Sequence, residues 1–448
     1  MPDLITALPA VDAIFADWNR PDSPGAALAI IHEGKVVYRQ GYGAANLEYG
    51  IPITPATVFH VASISKQFTA AAVALLAREG KLSLDDEIHT HLPELADFGH
   101  PITIRHLIHH TSGLRDQWEL LTLAGWRMDD VITHHQIMEI VGRQRALNFP
   151  PGTEYLYCNT GFTLMAEIVR RVTGQSLRQF ADERIFQPLG MTSTLFFDDH
   201  EEIVPNRAYS YKGGPAFKKS VLSYANVGAT SLFTTVEDLA KWLLNFETPV
   251  VGDAELIRQL QEPYVLTNGE SSNYAFGLMH KNHRSIPFIG HGGADAGFRT
   301  VALRFPSLRL GIVVLANLAT FTPEAVALKV AEAYLGDSVA WGPAAPAAEP
   351  QKPAEPIAVS TEELQPYAGA YYSEELDITY VVSARDGELQ VSRRRLEDIR
   401  LVPLGADKFR EKAWGMLHIT FIREGEAVVG LQADGGRVRH LRFARVGE

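Results

Sequence analysis

Cysteine is almost missing from this chain of 448 residues: Cys158 is the only one, so no disulfide can be closed within it. Basic residues are outnumbered as well. Lys and Arg total 41 against 53 Asp and Glu, a formal charge of -12. That balance excludes nucleic acid or an anionic membrane surface as the principal partner. No apolar run approaches the roughly 20 residues of a membrane span. The opening Met1-Pro2-Asp3 has no basic stretch ahead of an apolar one, so no secretory leader is read there. A cytoplasmic protein is the expectation, or a periplasmic or secreted one if a leader was removed. Several motifs are missing too. There is no Gly-x-Ser-x-Gly elbow, no His-Glu-x-x-His, and Gly41-Tyr42-Gly43 has no third glycine to cradle a phosphate. No internal repeat is found.

What is present is an ordinary globular composition, 46% hydrophobic and 21% charged, long enough for more than one core. Leu4, Leu8, Val11, Phe15 and Trp18 recur like one face of a helix. Gly25 to Ile31 and Val36 to Gly41 read as strands joined by a turn at Glu33-Gly34. A largely helical middle follows, from Ser63 to about Leu189. Strands return at Phe298–Phe305 and Leu310–Leu315, before a helix over Pro323–Leu335. The pattern predicts an α+β fold: an antiparallel sheet flanked by helices, with a helical subdomain. From Ala340 to Pro356 the chain is dense in proline and alanine and reads as a semi-rigid linker. Beyond it, short apolar runs at Tyr371, Ile378–Val382, Glu388–Val391, Phe409, Leu417–Ile422, Val428–Leu431 and Val438–Phe443 alternate with Asp386-Gly387, Glu424-Gly425 and Asp434-Gly435-Gly436 turns. They predict a small antiparallel sheet closed into a barrel or sandwich. The expected division is residues 1–338 as a catalytic domain, 339–359 as the linker and 360–448 as the barrel domain.

The stretch His60-Val61-Ala62-Ser63-Ile64-Ser65-Lys66 carries the chemistry. A hydroxyl and an amine three positions apart on a helix share one face, so the amine can take the proton of a serine nucleophile. Phe68, Ala71, Ala72, Leu75 and Leu76 supply the buried face of that helix, and Gly80 its stop. If Ser63 opens the helix, negative charge developing on its oxygen lies at the positive end of the dipole.

Three further stretches offer partners. Pro150-Pro151-Gly152 leads to Tyr157 and Asn159, two residues apart and on one side of an extended segment. The phenol can relay protons, and the amide can hold a substrate carbonyl or the lysine. His291-Gly292-Gly293-Ala294 places an imidazole beside glycines that permit close backbone approach, so His291 can carry protons or bind substrate. His109-His110-Thr111-Ser112-Gly113-Leu114 reads as a structured turn after a helix. Neighbouring histidines such as 109 and 110, or 134 and 135, diverge on a helix, so no metal site is expected and no cofactor is called for.

Taken in order, Ser63-x-x-Lys66, His110-Thr111-Ser112-Gly113-Leu114, Tyr157-Cys158-Asn159, Pro188-Leu189-Gly190-Met191, the 232–242 stretch and His291-Gly292-Gly293 resemble the penicillin-recognising serine hydrolases. These include class C beta-lactamases, DD-peptidases, D-aminopeptidases and similar carboxylesterases, and the likeness runs from Gly25 to about Leu335. The resemblance implies Ser63 as acylated nucleophile, Lys66 as its base, Tyr157 as proton shuttle to the leaving group and Asn159 as the residue that orients substrate. It implies an oxyanion hole from the Ser63 and Ala294 backbone N–H groups, flanked by Gly292 and Gly293. His291 and Gly292 stand where such beta-lactamases carry lysine and threonine, which removes two partners of a substrate carboxylate. Cys158 stands in place of a more usual serine and faces away, as packing. The barrel is similar to the lipocalin-like tail of some D-aminopeptidases and peptide-cyclising relatives, which can reach the active site.

The expectation is therefore a serine amidase or peptidase acting on a small molecule or short peptide, such as a D-amino-acid derivative. A carboxylesterase and acyl transfer to an amine (peptide cyclisation) are its close rivals. A catalytically silent binding protein, with the barrel as its working part, is the alternative of a different class. Oligomeric state is left open.

Overall fold

The computed structural model describes residues 4–214, 216–343, 355–413 and 415–447. Most of the proline- and alanine-rich linker lies outside these described residues.

Alternation decides the larger sheet. Its six strands run in the order Met279–His283, Ile286–Asp295, Phe298–Phe305, Leu310–Ala316, Ala26–His32 and Lys35–Tyr42, each antiparallel to its neighbour. Residues of one parity, Ala26, Leu28, Ile30, Val301, Leu303, Ile312 and Val314, share a core with Val11 and Phe15 of the N-terminal segment and with Val326 and Val330 of helix Pro323–Leu335. Those of the other parity, Ala27, Ala29, Ile31, Ala302, Val313 and Leu315, pack with Phe68, Leu239 and Trp242. Strands buried on both faces read as continuous apolar runs, which is why Ala26–His32 and Leu310–Ala316 are buried throughout.

The helical subdomain includes helices Ser65–Arg78, Ile104–Ile108, Gln117–Leu123, His134–Gly142 and Asn159–Thr173. The helix through Lys66 stops where its sequence indicates, with Glu79 as cap and Gly80 left-handed at φ 68°. Ser63 does not open it. It occupies a tight 3-10 turn, Ala62–Ile64, that feeds Ser65 into the helix. Asn159 is likewise the first residue of helix Asn159–Thr173 rather than part of an extended segment.

The C-terminal strands close into an eight-stranded antiparallel barrel: Gly369–Ser373, Ile378–Arg385, Glu388–Ser392, Ile399–Gly405, Lys408–Glu411, Leu417–Glu424, Ala427–Gly435 and Val438–Val446, the last pairing with the first. Closure leaves no edge strand unpaired. Strand Ile399–Gly405 went unread in the sequence because Pro403 interrupts its apolar run, and the ladder is irregular there. Phe409 meets Tyr367 and Phe421 edge to face in the interior, and the last two rings are tilted against each other.

The barrel docks on the helical subdomain through buried polar contacts. The Arg115 side chain is fully buried and donates to the carbonyl oxygens of Arg439 (3.0 Å) and His440 (2.9 Å), to Gln144 Oε1 (3.1 Å) and to Glu375 Oε2 (2.6 Å). Asn148 accepts from Arg439 N–H at 2.7 Å and donates to Arg437 O at 2.9 Å. Tyr380 Oη donates to Leu123 O at 2.7 Å.

Losing one member of a buried ion pair strands the other, which typically costs about 3–5 kcal/mol. Arg115→Ala is expected to lower the unfolding free energy by that order, read as a lower denaturation midpoint, and to expose the barrel junction to limited proteolysis. An unchanged midpoint would show that docking does not depend on Arg115.

Candidate active site

The turn that carries Ser63 is held from three sides. Thr300 Oγ1 donates to Val61 O at 3.0 Å, Ser65 Oγ to Ala62 O at 2.5 Å, and Leu232 N–H to Ser65 Oγ at 3.0 Å. Ala62 has φ 48°, a left-handed conformation that a non-glycine residue holds only where its surroundings enforce it. Strand Ile286–Asp295 lies directly against this turn. A Cβ at Gly293 would come 2.1 Å from Val61 O, so a glycine is required there. This close approach brings Gly292, Gly293 and Ala294 to line a cleft of about 740 Å³ with Ser63, Tyr157 and Asn159.

Lys66 is completely buried beneath Ser63. Its Nζ stands 2.7 Å from Asn159 Oδ1, 2.7 Å from Ala229 O and 3.1 Å from Ser63 Oγ. Burial lowers its pKa to about 7; Asp116 and Asp295 oppose the shift and Arg437 adds to it. A neutral amine has two N–H donors and one lone pair. The two short contacts take the donors, which leaves the lone pair facing the Ser63 hydroxyl. That arrangement can accept the hydroxyl proton.

The Asn159 amide is oriented by its neighbours. Asp116 Oδ2 accepts from both Asn159 N–H (2.6 Å) and Asn159 Nδ2 (2.8 Å), which turns Oδ1 toward Lys66. Of the two uses read in the sequence, holding a substrate carbonyl or holding the lysine, the amide serves the second here. Asp116 also accepts from Trp118 N–H at 3.0 Å, so the first turns of two helices converge on one fully buried carboxylate. Burial works against its charged form, yet Arg437 and these N–H groups outweigh it and keep Asp116 below its usual range. Glu119 beside it is pushed up by burial and by the Asp116 charge.

Arg437 belongs to the turn between the last two barrel strands. It donates to Glu119 Oε1 from Nε (2.8 Å), with Nη2 at 2.7 Å from the same oxygen and 3.4 Å from Asp116 Oδ1, and it lines the cleft. The barrel thus contributes a charged side chain to the site.

The Tyr157 hydroxyl is buried with no hydrogen-bond partner. Burial raises its pKa, opposed by the Ser63 hydroxyl nearby. Its ring lies 4.9 Å from Lys66 Nζ and 4.2 Å from the His110 ring. His291 lines the cleft with both ring nitrogens engaged: Nδ1 is 2.5 Å from Gly292 O and Nε2 is 3.1 Å from Tyr274 Oη. Nδ1 therefore carries the hydrogen and Nε2 accepts from the phenol. Burial, with Lys66 nearby, lowers its pKa to about 3, so the ring is a neutral wall. Cys158 is packing: its thiol is buried 3.3 Å from Leu114 O, and burial raises its pKa to about 12.

Tyr274, Asp116 and Arg437 escaped the sequence reading. Asp116 lies two residues past the His110–Leu114 stretch, and that proximity was its only signal. Arg437 had none, because its turn meets the site only through the docking of the barrel.

A family model described as Beta-lactamase matches residues 10–336. A D-aminopeptidase of Gluconobacter oxydans is 31% identical over 315 residues, covering 70% of this chain and 58% of that protein. One from Brucella ovis is 30% identical over 332 residues, covering 73% and 63%. The chain thus spans about three fifths of the length of these relatives. Among solved structures, the octameric penicillin-binding protein homologue from Pyrococcus abyssi superposes with a TM-score of 0.66 at 25% identity, covering 99% of this chain and 100% of that one. The D-amino acid amidase from Ochrobactrum anthropi SV3, solved with L-phenylalanine amide, reaches 0.62 at 23% identity over 74% of this chain and 99% of its own, a likeness of fold.

If Lys66 is the base, labelling of Ser63 by a fluorophosphonate is expected to rise with pH through a midpoint near 7, because the free amine accumulates above its pKa. Lys66→Ala is expected to slow labelling by about 10²–10⁴-fold. Arg437→Gln removes a cation that disfavours the ammonium and leaves the Asp116 carboxylate in place, so the midpoint is expected to move upward. A midpoint unmoved in that variant would detach Arg437 from the electrostatics of Lys66.

Proposed function

The chain belongs to the Beta-lactamase family, and from that premise we propose a serine amidase or peptidase that forms an acyl-enzyme at Ser63 on short peptides or D-amino-acid derivatives. Residues 1–338 carry the chemistry in this reading, and the barrel of 360–448 completes the wall of the site. The observation that carries it is the hydrogen bonding of Lys66: two acceptors at 2.7 Å and the third direction aimed at a serine hydroxyl.

In this mechanism Lys66 Nζ accepts the Ser63 proton as Oγ attacks the substrate carbonyl. The carbonyl oxygen becomes negative and is held by the backbone N–H groups of Ser63 and Ala294, an arrangement in which each donor typically contributes some 3–4 kcal/mol. Collapse expels the amine, which must leave protonated. Tyr157 is suited to deliver that proton, since its hydroxyl is buried near Ser63 and has no hydrogen-bond partner. A phenol kept protonated by burial donates readily only when a stronger base, such as the departing nitrogen, comes within reach. The proton held by Lys66 passes to the Tyr157 oxygen, which restores the phenol and the free amine. Water then takes the departed amine's place, Lys66 draws its proton as it attacks the ester, and that proton goes to Ser63 Oγ as the acid leaves. Asn159 and Asp116 keep the amine oriented throughout.

A built route for protonating the leaving group favours amides over esters, because a good alkoxide leaves without it. The neutral His291 ring offers no cation to a substrate carboxylate, which weighs against efficient beta-lactam hydrolysis. The D-configuration of the substrate rests on the names of the relatives.

Two assays test the proposal. Intact mass after fluorophosphonate treatment is expected to show one adduct on the wild type and none on Ser63→Ala; a folded wild type that stays unlabelled would favour the silent binding protein. A panel of D- and L-amino-acid p-nitroanilides beside p-nitrophenyl esters is expected to show faster turnover of the D-anilides. Turnover of esters alone would replace the amidase with a carboxylesterase.

A further inference from the structure

The cleft contains a carboxylate that the mechanism leaves unused. Asp295 ends strand Ile286–Asp295, next to Ala294, and lines the cleft together with Ser63 and Thr230. Its side chain is only 19% exposed. The Thr230 hydroxyl donates to Oδ2 and stands 3.3 Å from His60 Nε2. His60 itself is 3.9 Å from Asp295, completely buried, and burial lowers its pKa to about 3. The carboxylate is thus steadied by a hydroxyl and a neutral ring, both without charge.

Among the described residues, none of the neighbouring cations forms an ion pair with Asp295. Arg299, on the adjacent strand, donates from Nη1 to Ala296 O and Phe298 O. Lys66 is taken up by Ser63, Asn159 and Ala229, and Arg437 by Glu119 and Asp116. Among the described residues no lysine or arginine nitrogen lies within 4.0 Å of Asp295. Glu324, the other acidic residue lining the cleft, is neutralised by Lys281 at 2.8 Å. Buried carboxylates are normally paired, and one left without a cation inside a substrate cleft is matched to a cation that arrives with the substrate.

We propose that Asp295 receives the protonated α-amino group of the substrate, so that the enzyme acts on amino-acid amides and short peptides with a free N-terminus and discriminates against N-acylated ones. This rests on the acyl-enzyme reading above and narrows it. An α-ammonium lies two bonds from the carbonyl under attack, so its partner must share the cleft with Ser63, as Asp295 does. Burial raises the Asp295 pKa to about 6, with Thr230, Lys66, Arg299 and Arg437 pulling it down and the Tyr224 phenol nearby staying neutral. The anionic form needed to hold an ammonium is therefore lost as pH falls through that region, and KM for free-amine substrates rises there.

The test compares D-alanine p-nitroanilide with its N-acetyl derivative on the full chain, in the wild type, Asp295→Asn and Asp295→Glu. The wild type is expected to prefer the free amine. Asp295→Asn is expected to raise KM for the free amine by about 10- to 100-fold, the range of a hydrogen bond to a charged group, to affect the acetylated substrate far less, and to abolish the rise in KM at acidic pH. Asp295→Glu restores part of the preference. Equal loss on both substrates, or a wild type indifferent to acetylation, would overturn the proposal. Should the wild type turn over neither anilide, the amidase reading fails separately. Calorimetric titration of Ser63→Ala with D-alaninamide and N-acetyl-D-alaninamide then reads Asp295 without turnover: tighter binding of the free amine that disappears in the double variant with Asp295→Asn supports the proposal, and equal binding of the two ligands rejects it.

Discussion

A lysine can act as a base near neutrality only if its environment refuses the ammonium while still satisfying the amine. Lys66 meets both demands at one atom. Burial removes the water that an ammonium needs, and Asn159 Oδ1 and Ala229 O accept the two hydrogens of the neutral form. The third tetrahedral direction is left to Ser63. A cation completely enclosed and poorly compensated costs stability, so the surrounding structure must be rigid enough to hold it. The turn at Ala62–Ile64, the glycine at 293 and the ties from Thr300 and Leu232 supply that rigidity.

Around this centre the charges form a graded series. Asp116 is close enough to orient Asn159 yet is neutralised by Arg437 and by the N-terminal turns of two helices. Without that compensation its field would return the proton to Lys66. The barrel is therefore part of the electrostatics of the site, and its docking through Arg115 and Asn148 fixes where Arg437 falls. On the opposite wall His291 is neutral and Asp295 is the only charged side chain of its strand. The cleft consequently offers a carboxylate on that side.

Residues close together in sequence were read best. Helix Pro323–Leu335, strands Phe298–Phe305 and Leu310–Ala316 and the stop at Gly80 follow from apolar spacing and terminators that act within one or two turns. The convergence of Ser63, Lys66, Tyr157 and Asn159 was legible because a short spacing or a known ordered pattern marked each. Strand Ile399–Gly405 was hidden by Pro403, which the barrel tolerates at an irregularity in the ladder. The use of Asn159 for the lysine was undecided in one dimension, since an amide bonds equally well to either partner until a second group claims its N–H.

Sequence alone pointed to Ser63 and Lys66 as candidate nucleophile and base, to the apolar runs of the inner strands of the large sheet and to a separate run of short strands, because each depends on near neighbours along the chain. Tertiary structure decided what those groups experience. The neutrality of His291, the compensation of Asp116 by a barrel arginine and the isolation of Asp295 depend on burial and on charges brought together from distant segments. Electrostatic energy is set by distance through space and by exclusion of water, and neither is written in the order of residues.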